Sequence, residues 1–253
     1  SSIDTAELRF KNDVLFPFEK AISQLERGPK ESNEELVARL NRVVSKPLAH
    51  IPLYEETDPK RFNQLIPITE NFILYFMGTL TDIPEYRKYH FTNYKRSLKR
   101  GIGICGDASI VLSQLLAMHD IDSKIVSLER HVVLEVQSIQ TKYIADPDFG
   151  VILPYTLETI RKKPEIIAEL YVEEGYTESD IKELTDAFTT KATFWKGADH
   201  FMTNKYYFER LSYVLKWLIP LVLLAIGYWL FKRENARNGK VQLLRKHINA
   251  RGR

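Results

Sequence analysis

Residues Leu211–Phe231 read LSYVLKWLIPLVLLAIGYWLF, with Lys216 as the one charge and none from Trp217 onward. A run this long and this apolar restricts the chain to few architectures. Its 21 residues, wound as an α-helix, extend roughly 31 Å, the thickness of a bilayer's hydrocarbon core. A helix also satisfies every backbone polar group internally, as lipid demands. Trp217, Tyr228 and Trp229 lie toward the two ends, where amphipathic rings favour the headgroup layer. Pro220 and Gly227 are tolerated in such a helix. Lys216 is expected to snorkel to the headgroups. The competing reading is a helix buried in a protein core.

The charge distribution gives the span an orientation. Residues 232–253 carry eight Lys/Arg and one Glu, a net +7, which leaves −4 on residues 1–231 out of the chain's +3. Basic residues just beyond a span mark the cytoplasmic side, so 232–253 is expected to be a cytoplasmic tail. It acts as a stop-transfer signal or lies on anionic lipid through Leu243, Leu244 and Ile248. The remainder is then extracytoplasmic, periplasmic or on the outer face. Export would need a targeting segment, which Ser1-Ser2 does not supply. We expect one to have been removed. A mildly acidic body with a basic tail does not resemble a nucleic-acid-binding domain. The basic, aromatic stretch Tyr86–Arg100 is read as a solvated helix face rather than an RNA surface.

Over the whole chain, 44% apolar and 27% charged residues provide ample core. Residues 1–100 read as the mainly helical N-terminal part of the domain: 5–26 with a break at Pro17, a capping box Ser32/Glu35 opening a helix through Val44, a proline-punctuated loop, and an apolar helix over Thr69–Leu80. Residues 151–210 form a helical, aromatic extension without a readable motif. Helices are expected over Glu165–Glu173 and, capped by Thr177, over Ser179–Phe188. Its aromatics Phe194, Trp195, Phe201, Tyr206, Tyr207 and Phe208 either pack into the core or line a groove, and His200 is read as structural.

Between these parts, residues 101–150 carry the chemistry. Cys105 is the chain's single cysteine, which excludes an internal disulfide, and it stands in Gly101-Ile102-Gly103-Ile104-Cys105-Gly106-Asp107. Ala108, Val111, Leu112, Leu115, Leu116 and Met118 follow at helical spacing. The thiol therefore opens a helix, where free N–H groups and the positive dipole end favour a thiolate. Strands are expected over 124–128, 131–137 and 142–146. A tight loop at Ser138-Ile139 pairs residues whose numbers sum to 277, setting His131 opposite Asp146 and Glu135 opposite Lys142. A one-residue slip would lose both pairs. Cys105 as nucleophile, His131 as base and Asp146 as orienting acid form a coherent thiol site. Asp148 is the alternative acid. Asp107 favours the helix end but disfavours a thiolate nearby.

In this order the segments resemble the transglutaminase-like superfamily, a branch of the papain-like fold. They are Gly103-Ile104-Cys105, His119-Asp120-Ile121-Asp122-Ser123-Lys124-Ile125-Val126, His131-Val132-Val133-Leu134-Glu135-Val136 and Asp146-Pro147. The resemblance implies an α+β fold in which a helix bearing the cysteine packs on an antiparallel sheet bearing the histidine and aspartate. It also implies a covalent thioester intermediate. Val133 replaces that family's tryptophan, Asp120 replaces a glycine, and no side-chain oxyanion donor matches.

The resulting expectation is a membrane-anchored cysteine enzyme acting on an amide of a protein or peptide-like substrate, with hydrolysis favoured over amine transfer. No cofactor is expected. The histidines show no metal-ligand spacing, and with one cysteine a zinc site is not expected either. Two rivals remain: a non-catalytic membrane-tethered binding module that keeps the fold, and a subunit of a membrane complex.

Overall fold

The computed structural model describes residues 15–51, 62, 64–139 and 141–251, with side chains through residue 240. The first part of the helix expected over 5–26, and Pro52 and Pro59 of the expected loop, lie outside these residues. Helix α1 (Phe18–Ile22) follows Pro17. Helix α2 (Asn33–Ser45) opens on the expected capping box: Ser32 Oγ accepts from the Glu35 N–H at 3.2 Å, and the Glu35 carboxylate accepts from the Ser32 N–H at 2.8 Å. Strand β1 (Ala49–His50) precedes α3 (Phe72–Leu80). The Asn71 side chain caps α3 by accepting from the Ile73 and Leu74 N–H groups, so the helix starts later than the expected Thr69.

The stretch Tyr86–Arg100 divides into the end of α4 (Pro84–Arg87), a connection, and α5 (Tyr94–Arg100). It is not only a solvated face. Tyr89, Phe91 and Leu98 are buried. Arg100 donates to the Tyr89 carbonyl and stacks on Phe91, 4.1 Å from the ring centroid. Gly101, at φ +74°, ends α5 in the left-handed conformation that glycine adopts without steric cost.

Strand β2 (Ile102–Gly103) leads directly into α6 (Cys105–Met118). There follow β3 (Ser123–Leu128), β4 (His131–Gln137), β5 (Lys142–Asp146), β6 (Val151–Leu153), α7 (Leu157–Lys162), a 3-10 turn (Pro164–Ile167), α8 (Ala168–Glu173), α9 (Glu178–Thr189), β7 (Thr193–Trp195), α10 (Ala198–Phe201) and α11 (Thr203–Arg251). The segment expected to be helical from Glu165 thus begins as a 3-10 turn after Pro164. Asp120 takes φ +56°, a left-handed conformation that its short polar side chain tolerates.

The fold is α+β. An antiparallel five-stranded sheet in the order β6-β5-β4-β3-β7 is covered on both faces. On one face Leu134, Val136 and Ala145 pack with Val111, Leu112, Leu115 and Leu116 of α6 and with Leu36, Leu40 and Val44 of α2. On the other, Val126, Val133, Ile144 and Leu153 meet Leu157, Ile160, Leu184 and Phe188 of α7 and α9. Double coverage explains why β4 is buried at nearly every position rather than at alternate ones.

The bounds of β4 and β5 match the expected ones, but the register does not. Leu134 faces Ala145 and Glu135 faces Ile144, so partner numbers sum to 279 rather than 277. The turn sits one residue later than Ser138-Ile139, with the Ser138 N–H donating to the Thr141 carbonyl at 2.8 Å. A slip of two preserves side-chain parity, so the expected pairs survive as diagonal contacts. Lys142 Nζ lies 2.9 Å from Glu135 Oε1.

Helix α11 carries the apolar run. The 38 residues Thr203–Lys240 have a segment of mean hydropathy 2.0, none of it buried in protein. That excludes the core-helix reading and leaves a helix long and apolar enough to span a membrane. Its first turns are bound tightly to the domain. Glu209, fully buried, accepts from Tyr89 O–H (3.1 Å), Thr92 N–H (2.8 Å) and Arg96 (3.2 Å). Asn71 donates to Ser212 at 3.1 Å. Lys216 does not snorkel freely: its ammonium donates to the Glu70 carbonyl at 2.8 Å. Of the aromatics ahead of the span, Trp195, Phe201 and Tyr206 pack with Ile110 and Ile125, whereas Phe194 and Tyr207 are exposed.

Removing the Glu209 carboxylate strands three donors, one of them charged. Glu209→Ala is expected to cost about 3 kcal/mol of stability, as for a broken buried ion pair, and Glu209→Gln clearly less. Thermal unfolding of the three proteins in detergent solution checks this order.

Candidate active site

Cys105 is placed by a short chain of local constraints. Strand β2 pairs in parallel with β1, Ile102 with Ala49 and Gly103 with His50. The Ile51 N–H donates to the Gly103 carbonyl at 3.1 Å. The extended backbone then turns into α6 at Ile104. Asp107 accepts the Ile104 N–H at 3.0 Å and closes the first turn. A Cβ on Gly103 would stand 3.0 Å from that of Asp107, so the tight turn favours a residue without one. Ser109 Oγ donates to the Val132 carbonyl at 3.0 Å and ties the helix to β4. Cys105 thereby arrives beside His131, the first residue of β4.

Asp107 has a charged partner of its own. His90 Nδ1 lies 2.6 Å from Asp107 Oδ2. Burial works to raise the Asp107 carboxyl, but the charge and hydrogen bond of His90, the Ile104 N–H and Lys205 together hold it below its usual value. The Asp107 carboxylate is thus paired with a histidine that the sequence reading passed over.

His131 Nε2 lies 2.8 Å from Asp146 Oδ2, with the imidazole 3% exposed and the carboxylate fully buried. The remaining ring nitrogen is Nδ1, and the imidazole also interacts with the Cys105 thiol. Burial alone would lower the imidazole's affinity for protons. The charge and hydrogen bond of Asp146, joined by the thiol, outweigh it and hold His131 well above its usual value of 6.5. Phe149 and Phe188 flank the ring edge-on, with centroids 5.6 and 6.5 Å away.

Asp146 has four donors. Oδ2 accepts from His131 and from the Tyr171 hydroxyl, both at 2.8 Å. Oδ1 accepts the Asp148 and Phe149 N–H groups at 3.2 and 3.3 Å. Tyr171, on α8, is a site residue the sequence reading missed, and nothing in its local spacing marks it.

Asp148, the alternative acid, has a second histidine beside it. His50 Nδ1 lies 2.8 Å from Asp148 Oδ1, and both side chains are buried. Asp148 nevertheless stays close: a carboxylate oxygen, Cys105 Sγ and a His131 ring nitrogen all lie within 4.8 Å of one another. The structure therefore brings Cys105, His131, Asp146 and Asp148 together and adds His50 and Tyr171. His119 Nε2 donates to the Leu25 carbonyl at 3.2 Å and His200 Nδ1 accepts the Lys196 N–H at 3.2 Å, so each ring is tied to nearby backbone. A cavity of about 230 Å³ opens at His131, edged by Glu129, Arg130, Leu184, Asp186 and Thr190.

No family model, curated protein or solved structure matches this chain.

Two outcomes follow from the Asp146 hub. A group with a raised folded pKa stabilises the protein fully below its unfolded value and loses that contribution as pH rises through the folded one. The stability gap between the wild type and Asp146→Asn is therefore expected to be largest between about pH 5 and 6.5 and to narrow on the alkaline side. A gap that widens with pH would contradict the assignment. Tyr171→Phe, which deletes one charge-assisted hydrogen bond, is expected to cost about 1.5–3 kcal/mol, read from the same unfolding measurements.

Proposed function

We propose that this chain is a membrane-anchored thiol enzyme of transglutaminase-like type, with a papain-like core, that opens an amide through a Cys105 thioester. The observation that carries the reading is the position of His131, hydrogen-bonded through Nε2 to buried Asp146 and with a ring nitrogen within 4.8 Å of Cys105 Sγ. In the proposed reaction His131 Nδ1 holds the thiol proton and Sγ attacks the carbonyl carbon. The C–N bond then breaks as the imidazolium gives that proton to the departing amine. Water, deprotonated by Nδ1, attacks the thioester, and Sγ leaves as the thiolate. Asp146 fixes the histidine tautomer and stabilises the imidazolium. The N–H groups opening α6 are suited to the developing oxyanion.

Hydrolysis is favoured over transfer, because water is always present while no separate amine-acceptor site is distinguished. The substrate is a protein or peptide-like amide. The basic tail after the span favours a domain on the extracytoplasmic side. A second reading, a tethered binding module, is favoured by one observation: Cys105 is only 5% exposed.

Alkylation by a small thiol-directed probe separates the two. The enzyme reading expects fast labelling of Cys105 near neutral pH, and labelling slower by about 100-fold or more in His131→Ala, the scale of a lost general base. Equal labelling of both proteins would overturn it in favour of the binding module.

A further inference from the structure

The proposed chemistry uses one acid, Asp146, and leaves a second unexplained. Asp148 is buried, and it holds a carboxylate oxygen within 4.8 Å of both Cys105 Sγ and a His131 ring nitrogen. A carboxylate there opposes a thiolate. Two anionic groups gathered round one imidazole suit a divalent cation. The geometry points to a Zn2+ site formed by Cys105 Sγ, the His131 ring and the Asp148 carboxylate, which shares the nucleophile and so acts as a reversible block on it.

The donor chemistry fits. One thiolate, one imidazole and one carboxylate form a mixed S, N, O set of the kind Zn2+ accepts, and their two negative charges balance the ion. Tetrahedral coordination places such atoms roughly 3.5 Å apart, so the three groups need only draw together slightly from their present spacing. Three protein ligands leave a fourth position for water, as in open zinc sites.

The surroundings fit as well. His131 is oriented through Nε2 by Asp146 at 2.8 Å, which leaves Nδ1 for the ion. Asp146 is itself fixed by Tyr171 at 2.8 Å. Asp148 is oriented by His50 at 2.8 Å. Each of these two ligands thus has a buried outer partner of the type that fixes metal ligands. Among the described residues, this cluster brings its three donor atoms together from α6, β4 and the turn after β5, which is why ligand spacing in the sequence gave no sign of it.

The ion takes Cys105 as thiolate and His131 through an unprotonated Nδ1, so a proton held on either atom passes to solvent as the ion binds. With its lone pair on the metal, Sγ no longer attacks a carbonyl. This blocking role rests on the thiol-enzyme reading, whereas the binding itself does not.

The test uses the full chain in detergent, treated with chelator and dialysed against Zn2+ alone, with Co2+ as a spectroscopic probe. The expected result is one ion per chain and a sulfur-to-Co2+ charge-transfer band, both lost in Cys105→Ser and in Asp148→Asn. His50→Ala, which removes only the outer partner, is expected to weaken binding by about 10- to 100-fold, and it carries the test should Asp148→Asn fail to retain wild-type circular dichroism. Absence of binding, or binding that survives Cys105→Ser or is indifferent to both Asp148→Asn and His50→Ala, overturns the site. Alkylation of Cys105 keeps the two readings apart. Labelling that depends on His131 but is not protected by Zn2+ overturns the metal block and leaves the enzyme standing. Labelling protected by Zn2+ but indifferent to His131 supports the metal site and removes the enzyme.

Discussion

A fully buried carboxylate is expensive unless its charge is met by donors, and the site region is organised around one. Asp146 accepts from the His131 ring, the Tyr171 hydroxyl and two N–H groups of the turn that follows it. Those four bonds join β4, the end of β5, the turn into β6, and α8. The same contacts that make the charge tolerable also fix the imidazole's direction, so stability and site geometry have a common origin here. Phe149, delivered by that turn, then packs against His131, Tyr171 and Tyr176 and closes the apolar side of the ring.

Local signals in the sequence were read well where the structure is decided locally. The Ser32/Glu35 box, the Thr177 cap, the opening of α6 at Cys105 and the bounds of β4 and β5 all depend on residues within a turn of one another. The register of β4 on β5 differs by two from the expected one because it depends on the loop, and the alternation of side chains between the two faces is blind to any even shift. That blindness also kept the reading of the site usable: His131 and Asp146 stay on one face and meet diagonally. His50, His90 and Tyr171 were not legible as site residues, because their partners lie far along the chain and no spacing rule links them. The role of Asp107 could be posed from sequence but not resolved, since its partner His90 sits across a connection.

Residues 101–150 hold the three groups of the site in one compact stretch, and Asp120 takes the left-handed backbone in the turn that follows α6. The segment from α6 through β5 forms one side of a covered antiparallel sheet, with the cysteine, histidine and aspartate meeting where α6 begins, β4 begins and β5 ends. The aromatic extension, which showed no motif, supplies the opposite layer and the hydroxyl beneath Asp146.

The junction between domain and span carries a mechanical consequence. Glu209, Ser212 and Lys216 are anchored in the domain while belonging to the same uninterrupted helix as the apolar run. The domain is therefore joined to the apolar run by continuous helix rather than by a tether. Each residue of a helix turns about 100° and climbs about 1.5 Å. The number of residues between Glu209 and any point on the apolar run thus works as a ruler and a protractor at once, fixing how far that point stands from the domain and which way it faces.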